Sequence, residues 1–92
     1  MTRHSRTLTI VNQKGMHARA SAKFVTFVAR LPDGLLVEVE KDGHTVTGTS
    51  IMGLMMLGAA KGCEVTIHVT GDDAELALEK LAGLVTDGFG ED

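Results

Sequence analysis

Thr7-Leu8-Thr9-Ile10-Val11 and, beyond Asn12–Met16, His17-Ala18-Arg19-Ala20-Ser21-Ala22-Lys23-Phe24-Val25 carry two different periodicities. In the first stretch Leu8 and Ile10 fall on one side and Thr7, Thr9 and Val11 on the other, the alternation of a half-buried strand. From His17 to Leu31 the spacing changes. Ser21, Phe24, Val25, Val28 and Leu31 recur at helical intervals, so one face of a helix is apolar. Asn12-Gln13-Lys14-Gly15 separates the two elements, and Pro32-Asp33-Gly34 stops the helix. A strand feeding a helix of this length predicts a crossover, and with it a parallel placement of the next strand.

Working outward, Leu35–Glu40 alternates again, with Leu35, Val37 and Val39 against Leu36, Glu38 and Glu40. Asp42-Gly43 is a hairpin turn, because a tight hairpin needs positive φ and glycine adopts it freely. His44–Gly48 is the return strand. Ser50 is placed to cap a short helix over Ile51–Leu57, and Gly58–Gly62 is a small-residue loop. Glu64–Thr70 alternates with Val65, Ile67 and Val69 inward. Asp72 is the expected N-cap of the last helix, with Glu75 in a capping-box-like position. Leu78, Leu81, Leu84 and Val85 form that helix's stripe, and Gly88-Phe89-Gly90 ends it.

The order βαββαβα, with cleanly alternating strands, implies a sheet with one packed and one wet face. Placing the last strand between the first two makes every neighbour antiparallel. The expected fold is α+β: a two-layer open-faced sandwich, a four-stranded antiparallel sheet covered on one face by helices. Ninety-two residues suit one such domain over 1–92. The apolar runs are too short to span a bilayer, so no membrane insertion is expected. Met1–Arg6 has no hydrophobic segment behind it, so no signal peptide is expected. The lone cysteine, Cys63, permits no internal disulfide; a reducing, cytoplasmic compartment is the simple reading. Cys63 is expected to pack as a small apolar thiol at a strand start.

Charge is unevenly divided. Residues 1–32 contain no acid and carry a formal +6, while the remainder carries −9. Something anionic is therefore expected near the first third of the chain. Nucleic acid is disfavoured by the overall charge of −3 and by the absence of Trp and Tyr. A small anion or an acidic protein fits better. His17 stands where loop becomes helix, and the first N–H groups of a helix lack internal partners. With the macrodipole they form an anion site and favour a neutral, nucleophilic imidazole. The N–H groups of Ala18 and Arg19 are the candidates to meet a phosphoryl group, and the Arg19 guanidinium adds a phosphate-matching fork. The nearest acid in sequence is Asp33, sixteen residues on, so no sequence neighbour can promote hydrolysis. Taken alone, a histidine at a helix start is more often a cap or a surface residue than a functional one. Ser50 by itself is best explained as a cap. His4, His44 and His68 are expected at the surface and form no metal-binding pair, so no metal is expected.

Gly15-Met16-His17-Ala18-Arg19-Ala20-Ser21-Ala22-Lys23-Phe24-Val25 resembles the active-site segment of the histidine-containing phosphocarrier family, HPr, of the phosphoenolpyruvate-dependent phosphotransferase system. Gly48-Thr49-Ser50-Ile51-Met52-Gly53-Leu54-Met55-Met56-Leu57 resembles that family's regulatory-serine segment. The resemblance covers nearly the whole chain. It implies that His17 accepts a phosphoryl group on Nδ1 from enzyme I and passes it to a histidine of an enzyme IIA domain, with Arg19 stabilising the phosphate. It also implies a phosphocarrier rather than a stand-alone enzyme, and no cofactor. Ser50 becomes a regulatory phosphorylation site for an HPr kinase/phosphorylase. Ile51 and Met52, with Lys23 at the rim, become docking residues, while Leu54, Met55 and Leu57 are assigned to the core. Ala20 stands where the family usually has proline, which implies a slightly less rigid loop and the same chemistry. A monomer is expected. The other functions compatible with the sequence are a carrier of the nitrogen-related regulatory branch, a non-catalytic interaction module on the same scaffold and, third, an RNA-binding module.

Overall fold

Val65, Ile67 and Val69 are almost fully buried, and the residues between them are not. Their strand therefore presents one apolar face, and it lies inside the sheet. The computed structural model describes residues 2–91. It contains β1 (Arg3–Thr9), α1 (Ala18–Ala29), β2 (Leu36–Lys41), β3 (His44–Thr47), α2 (Ile51–Met56), β4 (Glu64–Thr70) and α3 (Ala74–Thr86), then a 3-10 turn over Gly88–Gly90. The sheet order is β1-β4-β2-β3, with every neighbour antiparallel. β4 pairs Thr66 with Thr7 on one side and with Glu40 on the other. The helices cover the face that carries Val37, Val39, Val65, Ile67 and Val69.

This is the α+β open-faced sandwich that the alternation implied. Phe24 of α1, Leu54 of α2 and Leu81 and Val85 of α3 meet the sheet residues in one cluster. Each such side chain contributes about 1.5–3 kcal/mol by leaving water. No helix among the described residues is long and apolar enough to cross a membrane.

Several boundaries differ from the sequence expectation. β1 starts four residues earlier than Thr7 and ends at Thr9, because β4 offers ladder partners from Glu64 to Thr70. Ile10 leaves the ladder but remains 1% exposed, and its N–H donates to the Cys63 carbonyl at 2.8 Å. α1 ends at Ala29, short of Leu31, since the residue before Pro32 is pushed from helical geometry. The last helix is capped by Asp73, not Asp72, and no side chain caps it. Asp73 adopts φ 59°. A left-handed residue aims its side chain away from the helix's free N–H groups, so the capping box does not form.

Met55 was assigned to the core and is 45% exposed. A six-residue helix has one inward face, and Leu54 and the following Leu57, three residues apart, occupy it. His68 is no free surface residue either. Its side chain is 11% exposed, with Nδ1 hydrogen-bonded to Ser5 Oγ and Nε2 to Glu40 Oε1 across three strands. Cys63 is half-buried just before β4.

Candidate functional site

Gly15 makes the turn that brings the loop into α1. Its φ is +61°, and a Cβ there would stand 2.2 Å from the Ala59 carbonyl oxygen. The next N–H, of Met16, donates to that same carbonyl at 2.8 Å. The entry of α1 is thus fastened to the segment that follows α2. Ser21, placed on the apolar stripe by its spacing, is fully buried and donates from Oγ to the Met16 carbonyl at 3.0 Å. Ala20 is fully buried at the third helical position. The N–H that proline would lack there is one of the helix's orphan donors.

His17 is the N-cap, with extended backbone. Its Nδ1 accepts from the Arg19 backbone N–H at 3.3 Å, and its carbonyl accepts from Ser21 N–H at 2.9 Å. The other ring nitrogen has a partner that no local reading supplies. Nε2 lies 2.6 Å from Glu91 Oε2, 74 residues away in sequence. An ionised carboxylate only accepts, so Nε2 carries the proton and Nδ1 keeps its lone pair. The Arg19 N–H on Nδ1 requires the same tautomer.

Glu91 is itself held. Asn12, 3% exposed, donates from Nδ2 to Glu91 Oε1 and to the Gly15 carbonyl, both at 2.9 Å. The turn before Glu91 is anchored by Phe89, 1% exposed and at φ 58°. Lys23 Nζ donates to the Phe89 carbonyl at 2.6 Å. The sequence expectation placed Lys23 at a docking rim; the structure commits its ammonium to the C-terminal turn. Asn12 and Glu91 were not singled out by sequence. The only local signal for either is Gly88-Phe89-Gly90, which marks a chain reversal without saying where the chain goes.

The hydrogen bond from Asn12, ahead of the bond from His17 and the charge of Lys23, holds the Glu91 carboxyl below the ordinary glutamate value. The folded chain therefore releases this proton more readily than the unfolded chain does. Its contribution to stability is complete above the unfolded value of about 4.3 and is lost as pH falls through the lower folded value. We expect the Glu91 carboxyl carbon to titrate, by NMR, below the ordinary glutamate value. An ordinary midpoint would mean that the tail is undocked in solution.

The cleft in front of His17 is lined by Lys14, Ala18, Arg19, Lys23 and Glu91, among others. Three cations face one carboxylate, and that carboxylate is already occupied by His17 and Asn12. The Arg19 side chain is exposed and has no partner among the described residues. Ala18 N–H, at the first helical position, has no intrahelical acceptor. The cleft is suited to a small anion placed against Nδ1.

A model of the PTS HPr component phosphorylation site matches residues 4–87. The chain belongs to the HPr family. The phosphocarrier protein HPr of Pseudomonas putida is 41% identical over 87 residues, 95% of this chain and 96% of that one. The HPr-like protein Crh of Bacillus subtilis is 45% identical over 71 residues, 77% of this chain and 81% of that one. The crystal structure of HPr-C-His from Thermoanaerobacter tengcongensis superposes with a TM-score of 0.88 at 38% identity, covering 97% of this chain and 98% of that one. This HPr-family chain is accordingly a phosphocarrier of the phosphotransferase system and not a stand-alone enzyme.

The second HPr-like segment lies beside the first, since α2 packs on α1. Ser50 caps α2, its Oγ accepting from Gly53 N–H at 2.9 Å. Ser50→Ala removes that acceptor. We expect a loss of about 1 kcal/mol, read as a lower urea midpoint with an unchanged slope. Ile51 and Met52 are 41% and 71% exposed, and Met55 and Met56 are 45% and 80% exposed. The apolar patch on α2 is therefore wider than the two residues expected.

Proposed function

We propose that His17 is the phosphoryl carrier, that it is charged by phosphorylated enzyme I, and that it discharges to a histidine of an enzyme IIA domain. The observation that carries this reading is the state of the imidazole. Nε2 is closed by Glu91 at 2.6 Å, and Nδ1 holds a lone pair beside Arg19 and Lys14. The Nδ1 lone pair forms a bond to phosphorus while the phosphorus–nitrogen bond of the donor breaks. The departing electron pair stays on the donor's imidazole. The incoming phosphoryl oxygens replace Nδ1 as the acceptor for Arg19 N–H and meet Ala18 N–H. The Arg19 guanidinium supplies the permanent positive charge. Transfer onward is the same step reversed against a second histidine.

Docking to both partners is assigned to Ile51 and Met52, with Met55 and Met56 extending the patch. Flexible, polarisable methionines suit a surface that must accept more than one partner. Ser50 is the proposed regulatory site for an HPr kinase/phosphorylase. A phosphoryl group at a helix N-terminus leaves the fold intact, but beside this patch it repels acidic partners. The carrier unit is the single domain 1–92.

Intact-mass spectrometry at mildly alkaline pH tests the reading. The chain is incubated with phosphoenolpyruvate, magnesium and an active enzyme I. One acid-labile phosphoryl group is the expected gain. No gain, with that enzyme I shown to charge another carrier, overturns the proposal. An acid-stable gain moves the site to a hydroxyl such as Ser50.

A further inference from the structure

We infer that Glu91 is the positioning residue of the transfer step: it fixes the His17 tautomer and balances the positive charge the ring acquires when Nδ1 is phosphorylated. This rests on His17 being the carrier. When the Nδ1 lone pair bonds phosphorus, no proton leaves the ring. Nε2 keeps its hydrogen, and the neutral imidazole becomes a phosphorylated imidazolium. The Glu91 carboxylate, already 2.6 Å from Nε2, becomes the counter-ion of that cation without moving. In the reverse step the same contact keeps Nε2 protonated, so the ring leaves phosphorus as a neutral imidazole and not as an anion. An orienting carboxylate behind a catalytic histidine acts in this way in hydrolytic triads; here the nucleophile is the histidine itself.

Three features show that the carboxylate is built into place. Asn12 donates to Glu91 Oε1 while its own buried Oδ1 has no hydrogen-bond partner. The amide is thus turned to serve the carboxylate at the expense of its own acceptor, an arrangement that is costly in a buried group. Phe89 accepts a left-handed backbone to plug the core directly before the tail. Lys23 from α1 then clamps the Phe89 carbonyl. Besides Glu91 and Lys23, the other charged groups lining the cleft are Lys14 and Arg19. Both are cations and cannot replace Glu91 as acceptor for Nε2–H.

The test compares wild type, Glu91→Ala and Glu91→Gln, with Glu79→Ala as a surface control. Nitrogen NMR of the His17 ring is recorded before phosphorylation. The rate of ring phosphorylation is then followed with phosphoramidate, a donor that needs no enzyme I. Wild type should show a protonated Nε2, an unprotonated Nδ1 and an observable Nε2–H. In Glu91→Ala the Nε2–H signal should vanish into exchange, the two nitrogen shifts should converge, and the rate should fall roughly tenfold, the scale of losing a partner that orients a histidine. Glu91→Gln retains an acceptor oxygen without the charge and should keep the Nε2–H signal at an intermediate rate. Glu79→Ala should match wild type. Ring signals or a rate unchanged in Glu91→Ala would overturn the inference. A failure of wild type with enzyme I would instead strike the carrier reading, because neither readout here uses that enzyme.

Discussion

His17→Ala takes up no phosphoryl group from enzyme I under conditions in which wild type gains one. This is the largest expected effect, since the nucleophile itself is removed and no other group in the cleft can replace it. Lys14, Arg19 and Lys23 are cations. Glu91 is a weak nucleophile whose carboxylate is already occupied by Asn12. The N-cap hydrogen bond from Arg19 N–H to Nδ1 is also lost, but at 3.3 Å it is long, and loss of a cap costs about 1 kcal/mol. The variant should therefore stay folded, and loss of the mass gain can be ascribed to chemistry. Far-ultraviolet circular dichroism unchanged from wild type is the required companion result. A persistent acid-labile gain in His17→Ala would place the carrier nitrogen on another histidine.

Gly15→Ala should unfold the chain at much lower temperature. The added Cβ would lie 2.2 Å from the Ala59 carbonyl oxygen and 2.8 Å from the Ala60 Cα. Both are backbone atoms, so no side chain can rotate away to relieve the overlap. The left-handed φ adds roughly 1–2 kcal/mol for any residue with a Cβ. Relief requires the loop to move from Ala59, which breaks the Met16 N–H bond to that carbonyl. We expect a loss of at least about 3 kcal/mol. At roughly 4–8 °C per kcal/mol for a domain of this size, Tm falls by more than about 12 °C. Scanning calorimetry reads it directly. By contrast, Gly34→Ala meets nothing within 4 Å and carries only the positive-φ strain, so its Tm should fall by less. Equal losses at the two positions would show that close packing against Ala59 does not govern the first.

The two N-caps near the cleft were legible in the sequence for a local reason. His17 and Ser50 each cap through a bond to a backbone N–H two or three residues on, and such bonds need only the local turn. Asp72 failed as a cap on the same kind of reading. Its local pattern was sound, but the chain must turn tightly at Gly71, where φ is +135° and a Cβ would meet the Gly34 carbonyl oxygen at 2.9 Å. That close passage of two loops shifts the helix start to Asp73. Met55 failed because periodicity counts apolar residues, whereas a short helix offers room inward only for those on the contacted side. Arg19 and Lys23 both carry a positive charge in the sequence. The fold decides what each does: the Arg19 side chain stays exposed beside the cleft, and Lys23 clamps the C-terminal turn.

Read alone, the sequence determined the element order, the face each strand buries, the antiparallel sheet and the histidine at a helix start. These follow from side-chain alternation, helical spacing and turn chemistry, all of which act within a few residues. The tertiary structure alone brought a carboxylate to the Nε2 side of the His17 ring. That depends on Glu91 reaching His17 and Asn12 across 74 and 79 residues. No local rule specifies such a contact, because it exists only once α3 has packed on the sheet and Phe89 has entered the core to turn the tail back over the start of α1.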